Sequence, residues 1–528
     1  LLALSPKAKQ IFWVYQTGAN ALLIFELFFG RELRYGDPMS QTTLPTIQFI
    51  NTLKGKKEVF EPLKTGEVSI YLCGPTVYGY THIGNARAAL VGDLVTRVFE
   101  YAGYKVNFAK NITDIDDKII TKANEEGRST NDVTTEFETA YNEEMDALGI
   151  RKPNHTPHAT EYVEHMTRMI QTLIDKDCAY VADTPFGKDV YLRVSAMKDY
   201  GKLSKRKVED MLDGARIEVG EAKEAAVDST LWKAAKPGEP SWNFEGVGEG
   251  RPGWHIECSA MIDAIFQEGL DIHMGGLDLI FPHHENEIAQ SECAHPEKPF
   301  AKYWIHNGML TIQREKMSKS IGNVFRTNAF LEEFGPETLK LICLQHHYRG
   351  PIDFSDELNL RTEALVERLY RAKAKYLEHE SASCQDSELP GTFGNLAKMD
   401  EALYDDFNSA KAIGFALGAL RTCFKEDKPE LWSAWGKKCL PLFSKVFSIL
   451  ENNPAAACKA IQARRLKRMN VSEETAQKVE AALESREQLR KDKKFEESDA
   501  VRKELEAEGF VIMDGPDGSA WTVNSQKT

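Results

Sequence analysis

The chain has no uninterrupted apolar stretch long enough to cross a bilayer. Residues 11–29 come nearest, but Gln16, Asn20 and Glu26 interrupt them, so no membrane partner is expected. It also lacks a cysteine framework. Its nine cysteines are scattered and odd in number, which fits reduced thiols, with some available to a metal, in a reducing compartment such as the cytoplasm. An excess of positive charge is missing too. The net charge of −14 argues against non-specific coating of nucleic acid, while leaving room for a local basic groove. Residues 1–38 lack the small-residue cleavage site of a secretory signal. Glu26, Glu32 and Asp37 set them apart from an organellar transit peptide. Met39 is read as a candidate start, and residues 1–38 are set aside from the fold. What remains is an ordinary globular composition, with 42% hydrophobic and 28% charged residues. The 528 residues suffice for three or four domains.

The most informative stretch is 68–111. Val68 to Leu72 is a short apolar run suited to a buried strand, and Gly74-Pro75 ends it. From Ala86, the spacing of Leu90, Leu94 and Val98 predicts a helix that closes at Gly103. Lys105 to Asn111 predicts a second strand, completing a βαβ unit. Its crossover carries Cys73, His82 and Gly84. A helix N-terminus with free N–H groups suits a phosphate, Gly84 lets a ligand approach the backbone, and His82 can donate to a phosphoryl oxygen. The same His82-Ile83-Gly84-Asn85 also reads as a plain turn with Asn85 as the helix cap. Asp114, Asp116 and Asp117 follow the second strand, where open α/β sheets bind ligands. They equally suit the N-terminus of a helix.

Residues 161–250 are polar and turn-rich, as expected of an insertion between two halves of one sheet domain. A helix is expected after Gly253, then a strand at Asp271-Ile272-His273. Gly275, Gly276 and Asp278 follow that strand, a pattern that suits a nucleotide or a simple turn. Pro282 fits the first turn of a helix, which would set His283 and Glu287 on one face. With Cys258 they are ligands of the kind zinc takes. His255 with Cys258 is a competing pair, and His284 a further candidate. Another strand is expected over 303–312. After it, Lys316-Met317-Ser318-Lys319-Ser320 reads either as a triphosphate grip or as a solvated basic turn.

His82-Ile83-Gly84-Asn85 and Lys316-Met317-Ser318-Lys319-Ser320, flanking a split sheet, resemble the two signatures of class I aminoacyl-tRNA synthetases. Asn85 stands where many members have His. Residues 71–78, 199–204, 231–242, 253–261 and 281–290 are similar to the cysteinyl-tRNA synthetases in particular. The resemblance runs from about residue 50 to the C-terminus. It departs at Met274, where that family usually has Gly beside the nucleotide. The fold it implies is α/β: a Rossmann-like parallel-sheet catalytic domain with a connective insertion, then a helical anticodon-binding bundle and a small C-terminal α/β domain. The expected divisions are 1–38, 39–160, 161–250, 251–325, 326–395, 396–465 and 466–528.

The resemblance also implies one zinc ion (Zn2+) held by Cys73, Cys258, His283 and Glu287, with the thiolate of L-cysteine joining as a further ligand. It implies ATP with Mg2+ as co-substrate and tRNA-Cys as acceptor. His82, Lys316 and Lys319 would stabilise the phosphoryl charge. Gly84, Asn85, Gly276, Asp278, Met317, Ser318 and Ser320 would complete the ATP site, and Cys73, Gly74, Thr113 and Trp254 the amino-acid site. A monomer is expected, in the cytoplasm or as an organellar copy. Two alternatives stay open: a cysteine ligase that couples the adenylate to a small amine, and a non-catalytic zinc- and RNA-binding relative.

The C-terminal third is expected to be helical. Residues 380–395 suggest a linker, and 399–424 one amphipathic helix containing Asp405-Asp406-Phe407-Asn408-Ser409. Basic runs at 464–468 and 490–494 suit either RNA phosphates or a solvated face. A helix ending at Gly509 should precede a strand pair.

Overall fold

The computed structural model describes residues 44–207, 222–312, 315–316, 325–383, 385–515 and 518–523. A short antiparallel pair, β1 (Gln48–Asn51) and β2 (Lys56–Val59), leads into β3 (Glu67–Leu72), α1 (Ile83–Tyr101) and β4 (Lys105–Lys110). This is the expected βαβ unit, and Gly103 ends its helix at a φ of 96°, a left-handed conformation that favours glycine. Helices α2 (Asp117–Glu126), α3 (Thr130–Ala147) and α4 (Val163–Asp175) follow. The insertion is a five-stranded antiparallel sheet of β5 (Ala179–Thr184), β6 (Gly187–Leu192), β7 (Ser229–Ala234), β8 (Trp242–Phe244) and β9 (Gly248–Pro252).

The chain then returns through α5 (Trp254–Ile265), β10 (Leu270–Gly276), α6 (Glu285–Ala294) and β11 (Ala301–Asn307). β10 pairs with β3, and β11 with β10, all in parallel, so the central sheet has the order β4-β3-β10-β11. Strand order reverses between β3 and β10. A crevice at such a switch point, outside the carboxyl ends of the strands, is where open α/β sheets take ligands.

Side-chain alternation divides the sheet into two faces. Ile70, Leu72, Ile272, Met274 and Ile305 share one core with Val91, Val95 and Val98 of α1. Each such side chain contributes about 1.5–3 kcal/mol by leaving water. Met274 therefore lies in this core, and its carbonyl accepts the Cys73 N–H at 3.2 Å. Tyr71 and Trp304 face the other way, into a core shared with Cys258, Met261 and Ile288 of α5 and α6.

The strand expected over 303–312 is interrupted. β11 stops at Asn307, and β12 (Leu310–Ile312) begins a separate small sheet with β13 (Glu315–Lys316) and β14 (Ile352–Phe354). The break is at Gly308. A Cβ there would come within 2.3 Å of the Gly350 carbonyl oxygen, so only glycine admits the close crossing of the two segments. α7 (Thr327–Phe334) and α8 (Pro336–Leu344) lie between β13 and β14, and the long α9 (Asp356–Glu378) follows β14.

The helix expected over 399–424 is also interrupted. A short turn at Met399–Tyr404 and α10 (Ser409–Glu426) are separated by Asp406 and Phe407, both at positive φ. Asp406 accepts from the Ile50 N–H at 3.0 Å, the Tyr348 hydroxyl at 2.9 Å and the Arg349 guanidinium at 2.8 Å. The break thus ties the helical bundle to β1. α11 (Pro429–Lys445) and α12 (Pro454–Met469) complete the bundle, followed by α13 (Glu473–Lys491), α14 (Phe495–Ala507) and the hairpin of β15 (Phe510–Gly515) and β16 (Gly518–Val523). The helix and strand pair around Gly509 are as expected.

Candidate active site and metal centre

The switch-point crevice is bordered by the ends of β3 and β10. Cys73 follows β3 directly, and Gly74 is packed so closely that a Cβ would sit 1.6 Å from the Asn111 carbonyl oxygen. The Gly74 N–H donates to Asn111 Oδ1 at 2.8 Å. Backbone geometry therefore fixes where the Cys73 thiol emerges. Cys258 comes from the second turn of α5, and His283 and Glu287 from the entry to α6 and its first turn. Pro282 precedes that helix rather than opening it. Residues Ile280–His284 form a wider π-type turn, and α6 starts at Glu285. The expected approach of His283 to Glu287 survives, with Nε2 3.0 Å from Oε1.

These four donors lie within 4.8 Å of one another. Cys73 Sγ is 3.8 Å from Cys258 Sγ and 3.7 Å from Glu287 Oε1. Tetrahedral zinc with bonds of about 2.0–2.3 Å separates its ligand atoms by about 3.3–3.8 Å, so spacing and donor chemistry both fit such an ion. Cys258, His283 and Glu287 are almost wholly buried.

A second set overlaps the first: Cys73, His273, His284 and Glu287. His284 Nε2 is 3.3 Å from Cys73 Sγ, while His284 Nδ1 is 2.8 Å from His306 Nε2. His273 Nε2 is 2.7 Å from Glu287 Oε2, a hydrogen-bond length. That contact holds the carboxylate from behind and leaves Oε1 facing Cys73 and His283. His255, the competing ligand, is in neither set. Its Nδ1 is 2.9 Å from His283 Nδ1, so it orients the His283 ring.

The charges are strongly interdependent. The hydrogen bond from the Cys73 thiol, with help from His283, brings Cys258 down to about 6 against the effect of burial. Burial and the neighbouring Cys258 push Cys73 well up. Burial opposes charge on His283, but Glu287 and Cys258 outweigh it and raise it to about 10. Glu287 stays well below the usual carboxylate range, because His273 and His283 overcome its burial. A cation settling among these donors displaces the protons on Cys73 and His283.

Around this cluster stand the other expected residues. Trp254 begins α5, is 39% exposed, and stacks on His283 with ring centroids 4.3 Å apart. Thr113 is buried, and its hydroxyl donates to Glu257 Oε2 at 2.8 Å. Gly276 ends β10, and Asp278 lies so close that a Cβ on Gly276 would be 2.4 Å from its Oδ1. His82, not Asn85, caps α1. Its Nδ1 accepts the Gly84 N–H at 3.1 Å, and Asn85 Oδ1 accepts the His82 N–H at 3.3 Å. With Nδ1 accepting, the neutral ring carries its proton on Nε2. The Lys316 main chain pairs with Thr311 through β13. Met317, Ser318, Lys319 and Ser320 lie outside the described residues.

The three aspartates after β4 have structural partners. Asp114 accepts from Thr160, Asp116 caps α2 through the Lys118 N–H, and Asp117 pairs with Arg251 and Lys233. The motif Asp199–Ser204 holds α6 in place. The Leu203 and Ser204 N–H groups donate to Glu285, and Tyr200 donates to Asn286 at 2.6 Å. Sequence reading left out His273 and His306. Their signal is the strand alternation that sets His273 opposite Met274, visible once 270–276 is taken as a strand.

Comparison with known proteins agrees with this geometry. Residues 59–364 match the family model described as the class I (C) tRNA synthetase catalytic domain, and 472–521 match the cysteinyl-tRNA ligase anticodon binding domain. A cysteine--tRNA ligase from Thermodesulfovibrio yellowstonii is 41% identical over 491 residues, covering 90% of this chain and 99% of that protein. The ligases of Syntrophotalea carbinolica and Geobacter sulfurreducens are each 42% identical with the same coverage. Among solved structures, Mycobacterium tuberculosis methionyl-tRNA synthetase with methionyl-adenylate aligns over 75% of this chain and 93% of its own, with a TM-score of 0.55 and 15% identity. A ternary LeuRS–tRNA–LeuAMS complex from Agrobacterium radiobacter K84 aligns over 76% and 86%, with a TM-score of 0.56 and 11% identity. These two speak for the fold. Neither a small-amine ligase nor a non-catalytic relative finds support, and the two family models, with relatives aligned along nine-tenths of the chain, place it in the cysteine--tRNA ligase family.

Proposed function

We propose that the protein activates L-cysteine with ATP and transfers it to the 3′-terminal adenosine of tRNA-Cys. The observation that carries this reading is the donor set of Cys73, Cys258, His283 and Glu287, three of them buried, gathered at the switch point of the parallel sheet. Those four residues would hold zinc, which would supply a ligand position suited to the cysteine thiolate and poorly suited to the serine hydroxyl. A pocket built around one polar contact that a competitor cannot make reaches discrimination of about 10⁴ or more without editing.

The rest of the chemistry is positioning and charge stabilisation. The cysteine carboxylate attacks the α-phosphorus of ATP and pyrophosphate departs from the opposite side, with the Mg2+ that would accompany ATP offsetting part of its charge. His82 Nε2–H and the positive end of the α1 dipole meet phosphoryl oxygens. Lys316 and Lys319 neutralise charge on the departing pyrophosphate. Gly276 and Asp278 hold the adenosine, and Trp254 walls the amino-acid pocket. A ribose hydroxyl of the tRNA then attacks the acyl carbon and AMP departs. No protein nucleophile is required.

All four donors and both signature segments come from one chain, which supports a working monomer. The odd set of nine cysteines supports a reducing compartment, the cytoplasm or an organelle's interior. Charging of a tRNA-Cys transcript with ATP and Mg2+ tests the reading. Cysteine should be attached and serine refused. Equal attachment of both would overturn the zinc selector, and attachment of neither would overturn the activity.

A further inference from the structure

Arg87 lies on α1, five residues beyond His82, and is 1% exposed. Its guanidinium donates to three main-chain carbonyls: Met309 at 2.9 Å, Tyr348 at 3.0 Å and Gly350 at 2.5 Å. No carboxylate among the described residues pairs with it. Burying a charge without a counter-charge costs several kcal/mol, and a well-packed apolar side chain would fill the same space at lower cost. A purely structural position therefore does not favour arginine.

The three carbonyls define a joint. The Tyr348 carbonyl also takes the Gly308 N–H at 2.8 Å, and the Met309 carbonyl takes the Ile352 N–H at 3.2 Å. Arg87 thus clasps the crossing of 308–309 with 348–352, the place where the chain leaves β11 for the small sheet. Met309 directly precedes β12, and Thr311 of β12 pairs with Lys316 of β13. On its other side the same joint is held by Asp406, through the Tyr348 hydroxyl and Arg349. One rigid path therefore runs from the helix that His82 caps, through Arg87, to the strand pair that carries Lys316.

We propose that Arg87 is a positioning residue for adenylate formation: it sets the separation between the His82 end of α1 and the β12–β13 strand pair bearing Lys316. This rests on the proposed function. Neither the metal cluster nor the cysteine pocket lies on the path, so its influence falls on the phosphoryl step. Misplacement of catalytic groups by about 1 Å can lower a rate by about 100-fold.

The test is cysteine-dependent ATP–pyrophosphate exchange in the full-length zinc-loaded protein, comparing wild type, Arg87→Lys, Arg87→Met and Arg465→Met. Arg87→Met should lose about 100-fold in kcat for exchange. Arg87→Lys, which keeps the charge and part of the carbonyl bonding, should lose about tenfold. Zinc content and the KM for cysteine should stay at wild-type values in both. Arg465→Met removes a brace within the helical bundle that touches none of the three carbonyls, and should lower the melting temperature while exchange proceeds at the wild-type rate. If Arg87→Met does not fold, Arg87→Lys alone decides. Wild-type kcat in the folded Arg87 variants overturns the inference, as does an equal loss of exchange in Arg465→Met. An inactive wild type would instead overturn the proposed function on which it rests.

Discussion

Two buried polar centres among the described residues are built on opposite principles. One surrounds Glu287, the other Glu363. In the helical bundle, Glu363 of α9 accepts from Arg465 at 3.3 Å and from Arg468 at 2.8 Å, and Glu367 accepts from Arg465 at 2.9 Å. Guanidinium groups keep their charge at any accessible pH, so this network is neutralised by permanent partners. Around Glu287 the partners are imidazoles and thiols, whose charge changes with their surroundings, and their donor atoms converge on a common point. The Glu363 centre has its acids matched by arginines. The Glu287 centre has the donors to hold a cation. A buried charge cluster therefore announces a binding site when its partners can give up protons, and a brace when they cannot.

Three measurements break or sharpen this contrast. The largest effect is expected from Cys258→Ser, which should reduce bound zinc and cysteine activation together, the latter by at least about 100-fold, since even outer partners of a metal ligand govern 10–100-fold in affinity or activity. Metal analysis and pyrophosphate exchange on the same preparation check this. Loss of metal with undiminished activation would remove the selector role. Next is Arg465→Met, which leaves two buried carboxylates short of partners. It should destabilise the bundle by about 3 kcal/mol in denaturant unfolding while zinc content stays constant. A change in metal loading would show that the two centres are not independent.

The smallest effect concerns Asp514, where the hydrogen bond from Arg486 depresses the carboxyl to about 2. A depressed carboxylate adds stability that is present above its unfolded value of 3.8. That stability is lost as pH falls from there through about 2. Hydrogen exchange in β15 and β16 should accelerate over that window in wild type. In Asp514→Asn it should already be fast at neutral pH, with no further step on acidification.

The same contrast explains what could be read from the amino-acid order. The βαβ unit was legible because Leu90, Leu94 and Val98 repeat at helical spacing and Gly103 closes the turn. His283 and Glu287 were legible because four residues of helix bring them together. Cys73 was not, since it meets Cys258 only through the pairing of β3 with β10, and it entered through family resemblance. His273 and His306 were missed for the same reason: they face the cluster through the register of β10 against β11, with His273 beside Trp304 and Gly275 beside His306. The basic run at 464–468 reads by itself as either a solvated face or an RNA contact. Arg465 and Arg468 instead face acids about a hundred residues earlier on α9, a pairing no local window contains. Asp406 was read as part of a helix because its partners, Ile50, Tyr348 and Arg349, lie on remote elements that hold it at a positive φ.

The stacking of Trp254 on His283 has an optical consequence. A second indole, Trp304, stacks on His273, with centroids 4.5 Å apart and planes 12° from parallel. Indole emission is quenched more by an imidazolium than by a neutral imidazole. When His283 exchanges its proton for a cation, Trp254 should brighten, so the centre carries its own lamp.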